Sequence, residues 1–308
     1  MKRIWDLLPV VVLAAGPALA QGTQPAQARE VEIRRDLKYA THDGVALAGD
    51  YYVPKAPGKY PVIVAAHGGG WQGGARTGYR SWGPFLAEHG IALFAIDYRL
   101  AKPGQPSYPK AVDDVRAAIQ FVRYKAADLK ADPERVALMG DSAGAHLAAL
   151  VGIMGDGAHA AHAYPDDPYA AQSVQVKAVV AFYGIYDMVQ QWTHDQIARP
   201  RDQIVEKFLG LSPMDDRKIY FDASPLSYAT RAHNKTSFFL TWGTADDIAD
   251  PATQSEAFLL ALKQAEFFVR AAPVVGAPHF WMGDPFDDPR GHVGFVAPQI
   301  LRFLEGRL

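Results

Sequence analysis

The chain has 308 residues, 49% apolar and 21% charged, with 27 Gly, 22 Pro and no Cys, a globular composition that excludes collagen, coiled coil, low-complexity disorder and a disulfide scaffold. Its 31 Lys plus Arg stand against 33 Asp plus Glu, a net charge of -2, too balanced for a polyanion-binding surface, so nucleic acid is not an expected partner. Without Cys there is no thiolate nucleophile, thiolate zinc site, iron–sulfur cluster or lipid-modified N-terminal Cys, and covalent chemistry is left to Ser, Thr, Lys or a carboxylate.

Residues 1–20 carry Lys2 and Arg3, an apolar run over 7–15, then Ala18-Leu19-Ala20. This is the basic, hydrophobic, small-residue order of a secretory signal peptide, cleaved after Ala20. Nine apolar residues reach about 14 Å as a helix, short of a bilayer core of roughly 30 Å, so no integral membrane anchor is expected. Residues 21–30 read as a flexible leader, and an exported chain would work in the periplasm or outside the cell.

From residue 31 the chain alternates apolar runs with amphipathic stretches, without repeats or a composition break, which predicts one domain over 31–308. Strands are expected at 31–41 and 45–53, flanking a His42-Asp43-Gly44 hairpin turn. Continuous apolar runs at 60–66 and 91–97 suit strands buried on both faces of a parallel sheet. Residues 111–125 place Val112, Val115, Ile119 and Val122 at helical spacing. Further strands are expected at 136–139, 178–182, 238–242 and 267–271, with helices at 143–153, 252–264 and 293–304. The alternation predicts a doubly wound, mostly parallel α/β sheet with antiparallel N-terminal strands. The stretch 185–228 shows no strand pattern and is a candidate cap insertion over the sheet's C-terminal edge.

Gly140-Asp141-Ser142-Ala143-Gly144 fits G-x-S-x-G between a predicted strand and helix, where glycines let the chain turn sharply and hold the Ser142 hydroxyl above the sheet edge. His67-Gly68-Gly69-Gly70-Trp71 follows the strand at 60–66, where backbone N–H groups could turn toward a developing oxyanion. A serine nucleophile needs an acid and a base, in the order Ser, Asp, His along such a chain. Asp246 follows the strand at 238–242 and is the expected acid, with Asp247 and Asp250 as competitors whose other reading is a solvated loop or a helix cap. Of ten His residues, only His279 and His292 follow the last predicted strand; His279 is the expected base, and His292 the expected cap of the last helix. His146 reads as a packing residue. His159 and His162 with Asp166 and Asp167 read as solvated loop rather than a metal cluster, so neither metal nor cofactor is expected.

These residues resemble the α/β-hydrolase superfamily, and within it the hormone-sensitive-lipase-like and feruloyl or acetyl-xylan-esterase-like carboxylesterases marked by HGGGW and GDSAG. The likeness extends to Asp97-Tyr98-Arg99-Leu100, to Tyr108-Pro109 before a helix carrying Asp113 and Asp114, and to the G-x-x-D at Gly243 to Asp246. It implies Ser142 as nucleophile, His279 as general base and then acid, Asp246 as orienting carboxylate, and N–H groups of Gly69, Gly70 and Ala143 as the oxyanion hole. The chain reads Asp246-Asp247-Ile248 where many relatives have Val-Pro shortly after the Asp, which leaves Asp247 in play. The reaction implied is hydrolysis of a small-molecule short-acyl or aryl ester; amide cleavage of the arylformamidase or prolyl-oligopeptidase type and a non-catalytic binding module are the alternatives. Trp71, Trp192, Phe280 and Trp281 are the expected aromatic walls of the substrate pocket.

Overall fold

The computed structural model describes residues 28–157 and 164–308; the predicted signal peptide, most of the leader, His159 and His162 lie outside them. Among the described residues one sheet of eight strands forms: β1 (Val31–His42), β2 (Val45–Pro54), β3 (Tyr60–Ala66), β4 (Ala92–Ile96), β5 (Ala131–Asp141), β6 (Ala178–Phe182), β7 (Ser237–Gly243) and β8 (Val269–Val274). Their order is β1-β2-β4-β3-β5-β6-β7-β8. β1 pairs antiparallel with β2 and β2 with β4, and every later pair is parallel. The Asp-Gly hairpin forms as expected, with φ of 50° at Asp43 and 78° at Gly44, the left-handed pair that matches strand twist.

Runs such as Val-Ile-Val-Ala-Ala in β3 and the whole of β4 and β6 lack polar side chains because helices cover both faces of the sheet, and these residues are buried. The helices packed on the sheet are α1 (Trp82–Glu88), α2 (Lys110–Tyr124), α3 (Ala143–Met154), α7 (Ala257–Gln264) and α8 (His292–Glu305), while α4 (Met188–Ala198), α5 (Ile204–Leu209) and α6 (Arg217–Asp222) pack mainly on one another. None of the described helices is long and apolar enough to cross a membrane.

Three boundaries depart from expectation: the helix expected over 252–264 is α7 only from Ala257, its first turn being a wider π turn over Ala252–Glu256. β5 begins at Ala131, five residues before the apolar run, because Tyr60 pairs with Ala131 across a register shift. β8 begins at Val269, not 267. Glu266 turns left-handed at φ 63° and the Phe267 N–H returns to Leu262 O at 2.9 Å, so Phe267 closes α7 instead of opening the strand. As the last strand of the sheet, β8 also tolerates Pro273 within it. The stretch 185–228 holds α4, α5 and α6 and no strand. Asp187 and Asp216 cap α4 and α6, each accepting from two backbone N–H groups.

Candidate active site

The turn from β5 into α3 is built around two glycines that tolerate no side chain. A Cβ on Gly140 would stand 2.2 Å from Gly144 O, and one on Gly144 would stand 2.0 Å from Ala66 O. That close approach forces the residue between them into a strained conformation: Ser142 has φ 52° and ψ -120°, a region ordinary residues avoid. Its N–H donates to Phe182 O at 2.9 Å, which locks the turn to the neighbouring strand.

The Ser142 hydroxyl donates to His279 Nε2 at 2.9 Å, and His279 Nδ1–H donates to Asp246 Oδ2 at 2.6 Å. The second oxygen of Asp246 accepts the N–H groups of Ile248 and Ala249, both at 2.9 Å. Each member of this relay is less than a tenth exposed, so each bond forms with little competition from water. Asp246 lies beyond the end of β7 and His279 in the loop after β8, which is how the topology joins residues 137 positions apart.

The competing carboxylates do other work. Asp247 is exposed, and its backbone carbonyl accepts from His194 Nε2 at 2.9 Å. Asp250 accepts from the Thr253 N–H at 3.0 Å at the start of the following helix, whose N-cap position is Pro251. His292 corrects an expectation: Gly291 holds the N-cap position of α8, and the imidazole instead pairs with Asp284 at 2.7 Å. His146 packs as expected, accepting from Trp71 Nε1–H at 3.2 Å and donating to Ala223 O at 2.8 Å. Burial pushes its pKa down to about 4, so it is neutral. Asp167 pairs with His42 at 2.8 Å.

The glycine loop after β3 faces the serine. Gly69 and Gly70 have φ of 120° and 59° and line a cleft of about 390 Å³ together with Ser142, Ile204, Ile248 and Phe280. Ala143 is the first residue of α3, so its N–H has no acceptor one turn earlier in the helix. The supports of this loop escaped sequence reasoning. The Gly68 N–H donates to Asp141 Oδ1 at 2.9 Å, Tyr79 OH reaches the same oxygen at 3.2 Å, and Tyr98 OH donates to His67 O at 2.8 Å. Burial of the Asp141 carboxyl raises its pKa to about 6 against these donors. Arg99 binds Asp114 of α2 through its backbone N–H at 2.8 Å and Nη2 at 2.7 Å, tying the segment after β4 to the helix.

Of the four aromatic residues expected to wall the pocket, only Phe280 does so, 66% exposed and edge-on to His279 at 4.4 Å. Trp71 is fully buried, turned inward by φ 59° and stacked on Phe208 at 4.5 Å. Trp281 is 2% exposed and packs on Phe182 and Tyr183. Trp192 is half-buried and donates to Glu206 Oε1 at 2.6 Å, tying α4 to α5.

A mostly parallel eight-stranded sheet, a strained serine at a strand-to-helix turn and a glycine loop beside it define an α/β-hydrolase of the hormone-sensitive-lipase-like group. The chain belongs to the BD-FAE family, whose model matches residues 50–262. It is 31% identical over 219 residues to Esterase LipQ of Mycobacterium tuberculosis, covering 68% of this chain and 48% of that protein. With Carboxylesterase NlhH of the same species it shares 35% over 167 residues, 49% of each chain. The chain thus spans about half the length of the curated relatives it matches. Among solved structures, Thermogutta terrifontis esterase 2 with bound propionate superposes with a TM-score of 0.66 at 25% identity, covering 91% of this chain and 93% of that one. An acetyl ester-xyloside bifunctional hydrolase from Caldicellulosiruptor lactoaceticus shares the fold, with a TM-score of 0.73 at 21% identity and coverage of 92% and 98%.

Proposed function

We propose that this chain is a serine carboxylesterase in which Ser142 is the nucleophile, His279 the general base and then acid, and Asp246 the residue that holds the imidazole in its working tautomer. The observation that carries the reading is the continuous relay from Ser142 Oγ to Asp246, at 2.9 Å and 2.6 Å. As the Ser142 oxygen attacks an ester carbonyl, His279 Nε2 takes the hydroxyl proton and Asp246 stabilises the imidazolium. The carbonyl oxygen becomes an oxyanion facing the N–H groups of Gly69, Gly70 and Ala143. Collapse of this intermediate expels the alcohol, which receives the proton from His279, and leaves Ser142 acylated. Water, deprotonated by His279, then releases the acid and restores the hydroxyl. Relatives named as esterases support ester over amide bonds.

Short acyl chains and aryl groups are the proposed substrates. The cleft is walled by Ile204, Ile248 and Phe280, and solved structures of Thermogutta terrifontis esterase 2 hold propionate and butyrate. We also propose one hydrolase domain over 31–308 with 185–228 as its cap, and export after cleavage behind Ala20, on the order of Lys2, Arg3, the apolar run and Ala18-Leu19-Ala20. A mature chain starting at Met1 would overturn the export reading. The function is tested by comparing p-nitrophenyl acetate and butyrate with the matching anilides, in wild type and Ser142→Ala. Esters should dominate, and the variant should lose about 10⁴-fold or more in kcat with its melting temperature retained. More than a tenth of wild-type activity in a folded variant would reject the reading.

A further inference from the structure

Helix α5 lies directly over the glycine loop: a Cβ on Gly70 would stand 3.3 Å from Ile204 Cγ2. Lys207 follows Ile204 by three residues and therefore shares that face of the helix. It lines the same cleft as Ser142 and also an adjoining depression of about 430 Å³.

The two acids on these surfaces are already engaged. Asp202 pairs with the Arg199 guanidinium, and Glu206 accepts from Trp192 Nε1 at 2.6 Å. Lys207 is exposed and has no carboxylate within ion-pair distance among the described residues. A second cation stands on the same wall: Arg199 lines the cleft, and its Nη1 is sealed from solvent without a hydrogen-bond partner. With Arg199 paired to Asp202, Lys207 is the exposed cation on this wall that has no carboxylate partner among the described residues, in a protein whose net charge is -2.

Resting on the esterase reading, we infer that the enzyme prefers esters bearing an anionic group, such as a carboxylate, a few bonds from the scissile carbonyl, and that Lys207 receives that group. A solvated ammonium contributes modestly to such a contact, so the preference attributable to it is about fivefold. Its source is Coulombic attraction, which salt screens.

The test compares kcat/KM for 4-acetoxybenzoate, with the charge on the leaving alcohol, against its neutral methyl ester. A second pair, phenyl hemisuccinate against phenyl butyrate, places the charge on the acyl side. In Lys207→Gln the charged-to-neutral ratio should fall about fivefold in one pair, in Lys207→Glu it should fall further, and added salt should narrow the wild-type ratio but not that of Lys207→Gln. Lys263→Gln, on the exposed face of α7, should leave the ratio alone. The pair that responds identifies the side of the ester that faces α5. Equal ratios in wild type, Lys207→Gln and Lys207→Glu for both pairs would overturn the inference while leaving the esterase reading intact. Failure of wild type to cleave the neutral esters would instead overturn the esterase reading, and this inference with it.

Discussion

The two sides of the cleft are held by different means. On the sheet side, Ser142, His279 and Asp246 are buried; Ser142 directly follows β5, and Asp246 and His279 lie in the loops that leave β7 and β8. On the α4 to α6 side, Lys207 is exposed and Arg199 and Asp202 are only partly covered. On the proposed reading, chemistry that must be positioned within tenths of an ångström falls to side chains held almost wholly inside the fold, and the choice of ester to a wall that solvent reaches. Substitutions on the sheet side should therefore act mainly on kcat, and those on the helical side mainly on which ester is chosen.

The sharpest way to break this contrast is at the acid. Asp246→Asn should lower kcat about 10⁴-fold, because the Nδ1–H of His279 loses its carboxylate and the tautomer is no longer held. Asp247→Asn should cost less than tenfold, since its exposed side chain takes no part in the relay. Steady-state kinetics on a short-acyl p-nitrophenyl ester decide, and the reverse ranking would move the relay by one residue.

A smaller effect is expected one bond further out. Asp141 holds the glycine loop through the Gly68 N–H, so Asp141→Ala should lower kcat roughly tenfold to a hundredfold by loosening the oxyanion donors. Asp141→Asn keeps an oxygen acceptor at that position and should recover most of the loss. Equal rates in both variants and wild type would show that the loop holds itself.

Stability carries the next signature. The pKa of His146 lies at about 4 in the folded chain, below the unfolded value of about 6.5. Its contribution is therefore complete above pH 6.5 and is lost as pH falls toward 4. Asp113 and Asp141, both raised to about 6, act in the opposite sense between about pH 4 and 6. The difference between wild type and His146→Asn isolates the imidazole: melting curves should converge as pH drops from 6.5 to 4. Parallel curves would contradict a neutral buried His146. The smallest effect is at the mouth, where Phe280→Ala should raise KM for aryl esters a few-fold with little change in kcat, through loss of an exposed ring contact.

Much of this architecture could be read from the chain because the chemistry demands special residues. Gly140 and Gly144 are legible since nothing larger fits between strand and helix, and strands buried on both faces betray themselves by lacking polar residues. Asp246 was harder to separate from Asp247, because the choice rests on which carboxylate receives the Ile248 and Ala249 amides, a matter of loop geometry. Trp71, Trp192 and Trp281 do not wall the cleft, for a similar reason. Proximity to a motif does not say which way a ring points, and the left-handed backbone at Trp71 turns its ring into the core. The Asp141 to Gly68 bond joins positions 73 apart, and no local pattern announces such a contact.

The most direct test of the central claim is to treat the protein with a fluorophosphonate and map the adduct by mass spectrometry. The account predicts a single covalent phosphonyl group on Ser142, forming far more slowly in Asp246→Asn because the imidazole that must remove the hydroxyl proton is no longer oriented. An unlabelled protein, or an adduct on any other residue with Ser142 unmodified, would contradict it.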